Sequence, residues 1–192
     1  MKKYAIFYAA ALLLLTACGA SENSGTDVPS PDANPGVTEV AEPAAGTETT
    51  GAPYVFTASG TDIVIDAEAA PILAALGDAA SYYEAASCAF EGLDKYYTYG
   101  SYEVDTYPDE SGVDRISAVL LKDDLVSTAE GVSIGSSRED VAAAYGEGAE
   151  EGASLVYEKG GMKLMFILDS DGAVESIQYL TKALDAVATE AG

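Results

Sequence analysis

Residues 61–77, TDIVIDAEAAPILAALG, and residues 130–146, EGVSIGSSREDVAAAYG, align without a gap at a spacing of 69 positions. Ile63 meets Val132, Ile65 meets Ile134, Ile72 meets Val141, Leu76 meets Tyr145 and Gly77 meets Gly146. A chain that writes one apolar pattern twice is expected to bury the two copies in equivalent places. Each copy predicts a short strand, a turn, a helix of about three turns and a terminating glycine. In the second copy Ser136 and Glu139 form an S-x-x-E capping pattern at the helix start. In the first, Pro71 has to fall near the first turn, where a missing N–H is tolerated.

The similarity resumes downstream. Residues 96–121 (YYTYGSYEVDTYPDESGVDRISAVLL) parallel residues 155–180 (LVYEKGGMKLMFILDSDGAVESIQYL), and each stretch reads as three strands with turn residues between them. Alternation places Tyr102, Val104 and Thr106 on one face, against Glu103, Asp105 and Tyr107. Met162, Leu164, Phe166 and Leu168 form the matching apolar line. The expected fold class is α+β: a tandem repeat of two helix-plus-antiparallel-meander units, 54–125 and 126–192 with a C-terminal tail.

A helix ending in Leu76-Gly77 or Tyr145-Gly146 before a three-stranded meander, repeated once, resembles the tandem-repeat domains of the β-lactamase-inhibitor-protein superfamily. The small lipoproteins of outer-membrane assembly have one such unit. The resemblance covers most of residues 61–180 and rests on an apolar pattern and a glycine. It implies non-catalytic protein binding. No functional residue carries over, because no contact motif is recognisable and the chain has no Trp.

The two copies differ most between helix and meander, where the first holds the extra stretch DAASYYEAASCAFEGLDK, residues 78–95. It carries Tyr82, Tyr83, Cys88 and Phe90, and loops on a rigid scaffold often carry binding residues. The plainer expectation is that the insertion folds back over the sheet with Cys88 as a small buried hydrophobe. Tyr97 and Tyr99 share one face of the following strand. Together with the insertion they form the candidate binding surface, an aromatic face beside carboxylates that suits a cationic peptide, a glycan or a polyamine-like ligand. Tyrosine is also simply a good strand residue.

The N-terminus addresses a different question. Lys2 and Lys3 precede an apolar run from Tyr4 to Ala17, the layout of a secretory leader, and the run is short of the ~20 residues that span a bilayer. Leu15-Thr16-Ala17-Cys18 resembles the lipobox of bacterial lipoprotein precursors. The resemblance implies cleavage of residues 1–17, a diacylglyceryl thioether on Cys18 and further acylation (palmitate-type chains) of the new N-terminus. Two or more chains give stable anchoring where one does not. Residues 18–53 contain no Lys, Arg or aromatic residue and six acids among Pro, Gly, Ser and Thr, so they are expected to be a disordered acidic tether. The expected location is the extracytoplasmic face of the cell membrane, lipid-anchored.

Composition narrows the chemistry. From Tyr54 onward there are 26 acidic and seven basic side chains, a balance that repels nucleic acid and favours cationic partners or plain solubility. The chain has no His, which removes Ser-His-Asp and Cys-His catalysis and the usual zinc sites. With Cys18 lipidated, Cys88 has no intramolecular disulfide partner. The run Asp169-Ser170-Asp171-Gly172 opens like a calcium loop but lacks the later ligands, so a hairpin turn explains it better. The glycines of Tyr145–Gly152 follow a helix beside three acids, which argues against phosphate. No catalytic residue, metal or cofactor is expected. The reading is a surface-tethered, non-catalytic binding or adaptor module of the bacterial envelope with a protein partner. A calcium- or small-ligand sensor is the alternative, and an envelope enzyme comes last.

Overall fold

The computed structural model describes residues 51–185, so the leader, the lipobox with Cys18 and nearly all of the acidic tether lie outside the described residues. Its frame is one antiparallel sheet of eight strands, in the order β3-β4-β5-β6-β10-β9-β8-β7. A first hairpin, β1 (Phe56–Ala58) with β2 (Thr61–Ile63), stands apart from it. Helix α1 (Ala69–Leu76) follows, then the strands β3 (Ser81–Ala86), β4 (Leu93–Thr98), β5 (Tyr102–Pro108) and β6 (Asp114–Leu121). Helix α2 (Arg138–Tyr145) leads into β7 (Ala149–Glu151), β8 (Ser154–Lys159), β9 (Met162–Leu168) and β10 (Val174–Thr181).

This overturns the α+β tandem of two helix-plus-meander units. The fold is mainly antiparallel β, and the named helices are only eight residues each. The two sets of strands do not close as separate units. β6 pairs with β10, Val119 opposite Tyr179 and Leu121 opposite Ile177, so both sets share one continuous sheet. The insertion at 78–95 does not fold back over that sheet either. It extends the sheet by one strand, β3, because its backbone groups gain ladder partners on β4. Cys88 is consequently exposed in the β3–β4 connection rather than buried.

The core lies on one face. Alternation brings Val104, Val119, Leu164, Phe166, Ile177 and Tyr179 inward, each at most 1% exposed. Phe56 and Ile63 of the first hairpin, Ala69 of α1 and Val141 of α2 join the same cluster. Each large side chain so buried contributes about 1.5–3 kcal/mol of transfer free energy. A register shift between Asp105 and Thr106 re-aims the end of β5, and Tyr107 is buried although simple alternation puts it opposite Thr106.

The helix ends follow local chemistry. Ser137, not Ser136, caps α2. Its hydroxyl accepts from the Asp140 N–H at 3.2 Å, while the Asp140 carboxylate accepts from the Ser137 N–H at 2.9 Å. The Ser137 hydroxyl also donates to that carboxylate at 2.7 Å, and this bond, with the one from the Ser137 N–H a lesser cause, holds the Asp140 carboxyl below its ordinary range. Gly77 and Gly146 terminate α1 and α2 at φ 78° and 79°, the left-handed region that favours glycine. Asp66 also has a positive φ, 64°, and accepts from Tyr107 at 3.2 Å and from Thr181 at 2.5 Å. That carboxylate ties the α1 approach to both β5 and β10.

Candidate functional site: the tyrosine edge

Among the described residues β3 is an edge of the sheet with no strand outside it, and four consecutive residues on it, Ser81 to Glu84, are exposed. The pairing with β4 sets Tyr82 opposite Tyr97 and Tyr83 opposite Tyr96. Their rings meet in pairs, at 5.0 Å for Tyr82–Tyr97 and 5.7 Å for Tyr83–Tyr96. Because side chains alternate, one pair lies on each face of the sheet. Tyr82 is 51% exposed and Tyr83 65%, the two largest aromatic exposures among the described residues. The Tyr82 hydroxyl donates to Glu84, and this bond, with burial a lesser cause, pushes its pKa up to about 12.

The expected surface therefore divides. Tyr82, Tyr83 and Tyr97 come together on the edge hairpin. Tyr97 and Tyr99 are both half-buried against the core, and Tyr99 is stacked on Tyr102 at 5.2 Å with its hydroxyl donating to the Gly77 carbonyl at 3.3 Å. Phe90 is half-buried against Tyr107, ring centroids 5.8 Å apart. Cys88 stays exposed in the connection between the two strands.

Alternation alone points to the partners that the sequence reading left out. Tyr83, Tyr96 and Asp105 share the face away from the helices, Tyr96 paired opposite Asp105 on β5. An open cleft of about 390 Å³ runs beside them, lined by Ser81, Tyr82, Tyr83, Tyr96, Thr98 and Glu103. Glu103 accepts from the Thr98 hydroxyl at 2.8 Å and from Lys122 at 3.3 Å. One carboxylate oxygen each of Asp94 and Asp105 is buried without a hydrogen-bond partner. Burial, with the Glu103 and Asp94 charges adding and Lys122 opposing, raises the Asp105 pKa to about 7. The one cation of the hairpin, Lys95, is taken by Asp114 at 2.5 Å. What remains is an aromatic and anionic surface.

The other sequence candidates resolve into turns and ion pairs. Asp169 accepts from the Asp171 and Ala173 N–H groups, each at 2.9 Å, so its carboxylate closes a hairpin turn. Asp109 does the same with the Ser111 and Val113 N–H groups, and the Ser111 hydroxyl at 2.6 Å, followed by Arg115 at 2.7 Å, holds it well below the usual carboxylate range. Glu150, in the glycine-rich stretch after α2, is paired with Arg138 of that helix at 2.6 Å. Among the described residues, no three His, Cys, Asp or Glu side chains are grouped to hold a metal ion. No family model, curated protein or solved structure matches the chain.

Proposed function

We propose that the protein is a lipid-tethered, non-catalytic binding module of the bacterial cell envelope that docks a protein partner on the tyrosine edge. The observation that carries the reading is the pair of exposed tyrosines on an open strand. Isolated apolar groups on a surface need no explanation, but two adjacent aromatics on an edge strand expose both contact area and a backbone template. Tyr and Arg dominate the energetics of protein interfaces, and an anionic tyrosine surface calls for a basic partner. The lipobox at Leu15–Cys18 and the acidic stretch after it supply the tether. The lack of any His in the chain leaves the free thiol of Cys88 without the commonest activating base.

One experiment tests both halves. The full chain, tagged at its C-terminus and grown with an alkyne-labelled fatty acid, is cross-linked in its own envelope and recovered. The parent is expected to carry the label and a discrete protein adduct. Cys18→Ser is expected to lose the label and keep residues 1–17, whereas Tyr82→Ser/Tyr83→Ser keeps the label and loses the adduct. A labelled Cys18→Ser chain contradicts the tether. An adduct that survives the double substitution contradicts the site.

A further inference from the structure

The geometry points to β3 as a strand-addition site: an extended, basic peptide segment pairs with its open edge as a further strand of the sheet. This rests on the binding-module reading and specifies its partner.

The backbone makes the first argument. The Ser87 N–H donates to the Gly92 carbonyl at 3.0 Å. Hydrogen-bonded pairs then alternate along the hairpin, falling at Ala85–Asp94, Tyr83–Tyr96 and Ser81–Thr98. The N–H and C=O groups of Tyr82, Glu84 and Ala86 point the other way, to the open side. They form a template long enough for an extended peptide of about five residues.

The two edges of the sheet are also unlike each other. β7, at the far edge, is three residues long and reads Ala-Glu-Glu, so it is short and doubly charged, two of the devices that blunt an edge. β3 is six residues long, contains no Pro, Lys or Arg, and carries a single charge, Glu84. Among the described residues, one edge is blunted and the other is left unpaired.

Charge selects the occupant. Glu84, Glu91 and Asp94 lie on the hairpin, with Glu103 and Asp105 on the next strand, and Lys95 is already paired. A second copy of this chain brings the same negative field and is repelled. A basic strand does not meet that cost. Strands lie about 4.8 Å apart, so its alternate side chains come beside Tyr82 and Glu84 on one face and Tyr83 on the other. Guanidinium or ammonium groups there face ring and carboxylate together.

The test titrates the detergent-solubilised, isotope-labelled full chain with a nine-residue peptide alternating Lys and Thr. The same peptide N-methylated at every second residue, and a Glu–Thr counterpart, are the controls. Amide shifts are expected across residues 81–86 with the Lys peptide and with neither control, fading at about 0.5 M salt. Glu84→Pro is compared with Glu84→Ala, which matches its lost charge. The Glu84 N–H points outward, so proline leaves the pairing with β4 intact yet removes a donor, and binding should fall by about tenfold relative to Glu84→Ala. Equal binding by these two variants, or by the N-methylated peptide, overturns strand addition. If in that case Tyr82→Ser/Tyr83→Ser still loses the envelope adduct, the binding-module reading survives the failure. No shifts at 81–86 with the Lys peptide overturns the inference. So does a dimer of the parent that Glu84→Pro abolishes, because the occupant is then a second copy.

Discussion

Phe166→Ala is expected to destabilise the domain by about 3–5 kcal/mol, the cost of removing a large aromatic side chain from a core that cannot collapse around the cavity. Phe166 is fully buried on β9, with the Tyr145 ring of α2 5.2 Å away and the Tyr157 ring of β8 edge-on at 5.9 Å. Its loss takes one ring neighbour from each tyrosine, although the two still meet each other at 5.3 Å. They anchor locally, since the Tyr157 hydroxyl donates to the Gly146 carbonyl at 2.9 Å and Tyr145 to Glu130. They are therefore poorly placed to fill the space. Domains of this kind hold only about 5–15 kcal/mol in reserve, so the variant should be marginal. Urea unfolding followed by far-ultraviolet circular dichroism measures it. A lower midpoint with an unchanged slope is expected. Tyr83→Ala, on the exposed edge, should move the midpoint by no more than about 0.5 kcal/mol equivalent. A cost below about 1 kcal/mol at Phe166 contradicts the packing described.

Asp105→Asn is expected to stabilise the protein above neutral pH. The folded-state pKa of Asp105 is raised to about 7, whereas the unfolded carboxyl has about 3.9. Between these values the native state holds more protons than the unfolded state, so this group's contribution to stability falls as pH rises. The contribution is most favourable below the unfolded pKa and is lost through the window from about 4 to 7. Above it the domain bears the full cost of a carboxylate buried beside Glu103 and Asp94. Asparagine keeps the shape and carries no charge, and the Asp105 oxygen it replaces has no hydrogen-bond partner to lose. Discounted for partial solvent screening, the gain at pH 8 is about 2 kcal/mol, with little change at pH 4.5. Asp109 and Asp140 act in the opposite sense, since their pKa values are lowered by hydrogen bonds. Their contribution is present above the unfolded pKa and lost as pH falls below it, outside this window. Urea midpoints of parent and variant should diverge from pH 5 through pH 7 and level off by pH 8. Parallel curves contradict the assignment.

The strands that sequence reading located are those with one buried face. β9 alternates throughout, and β5 as far as Asp105, because Val104, Leu164 and Phe166 enter the core while their neighbours do not. β3 carries no such signal. Its residues are exposed on both faces, so Ser-Tyr-Tyr-Glu-Ala-Ala has no period for alternation to reveal. It therefore reads as an inserted loop. The pairing of β6 with β10 was equally hidden, since it depends on register between segments some 60 residues apart and not on either segment's own pattern. The cap of α2 slipped by one residue because Ser136 and Ser137 are adjacent, and only geometry distinguishes them.

The candidate site was legible in part for the same reason. Tyr82 and Tyr83 stood out as tyrosines in the stretch where the two copies differ; Tyr97 was read from the face it shares with Tyr99, and its pairing with Tyr82 brings it to the edge. Tyr99 shares the core-facing side with Tyr97 but lies past the end of β4, so it packs on Tyr102 and not on the edge tyrosines. Asp105 was given a face by alternation but no sign of burial. Alternation assigns it to the face away from the core, and its burial comes from neighbours on adjacent strands that a single segment does not display.

The docking edge is tested most directly by light-induced cross-linking from a single side chain in the living envelope. A photoreactive phenylalanine analogue replaces Tyr83 in the full chain, and in a parallel strain it replaces Leu125, which is 80% exposed and lies after β6, away from the edge strand. Irradiation is predicted to give one discrete adduct from position 83 and none from position 125. The same adducts from both positions, or an adduct from 125 alone, would contradict the account that the β3 tyrosine edge is where this protein binds.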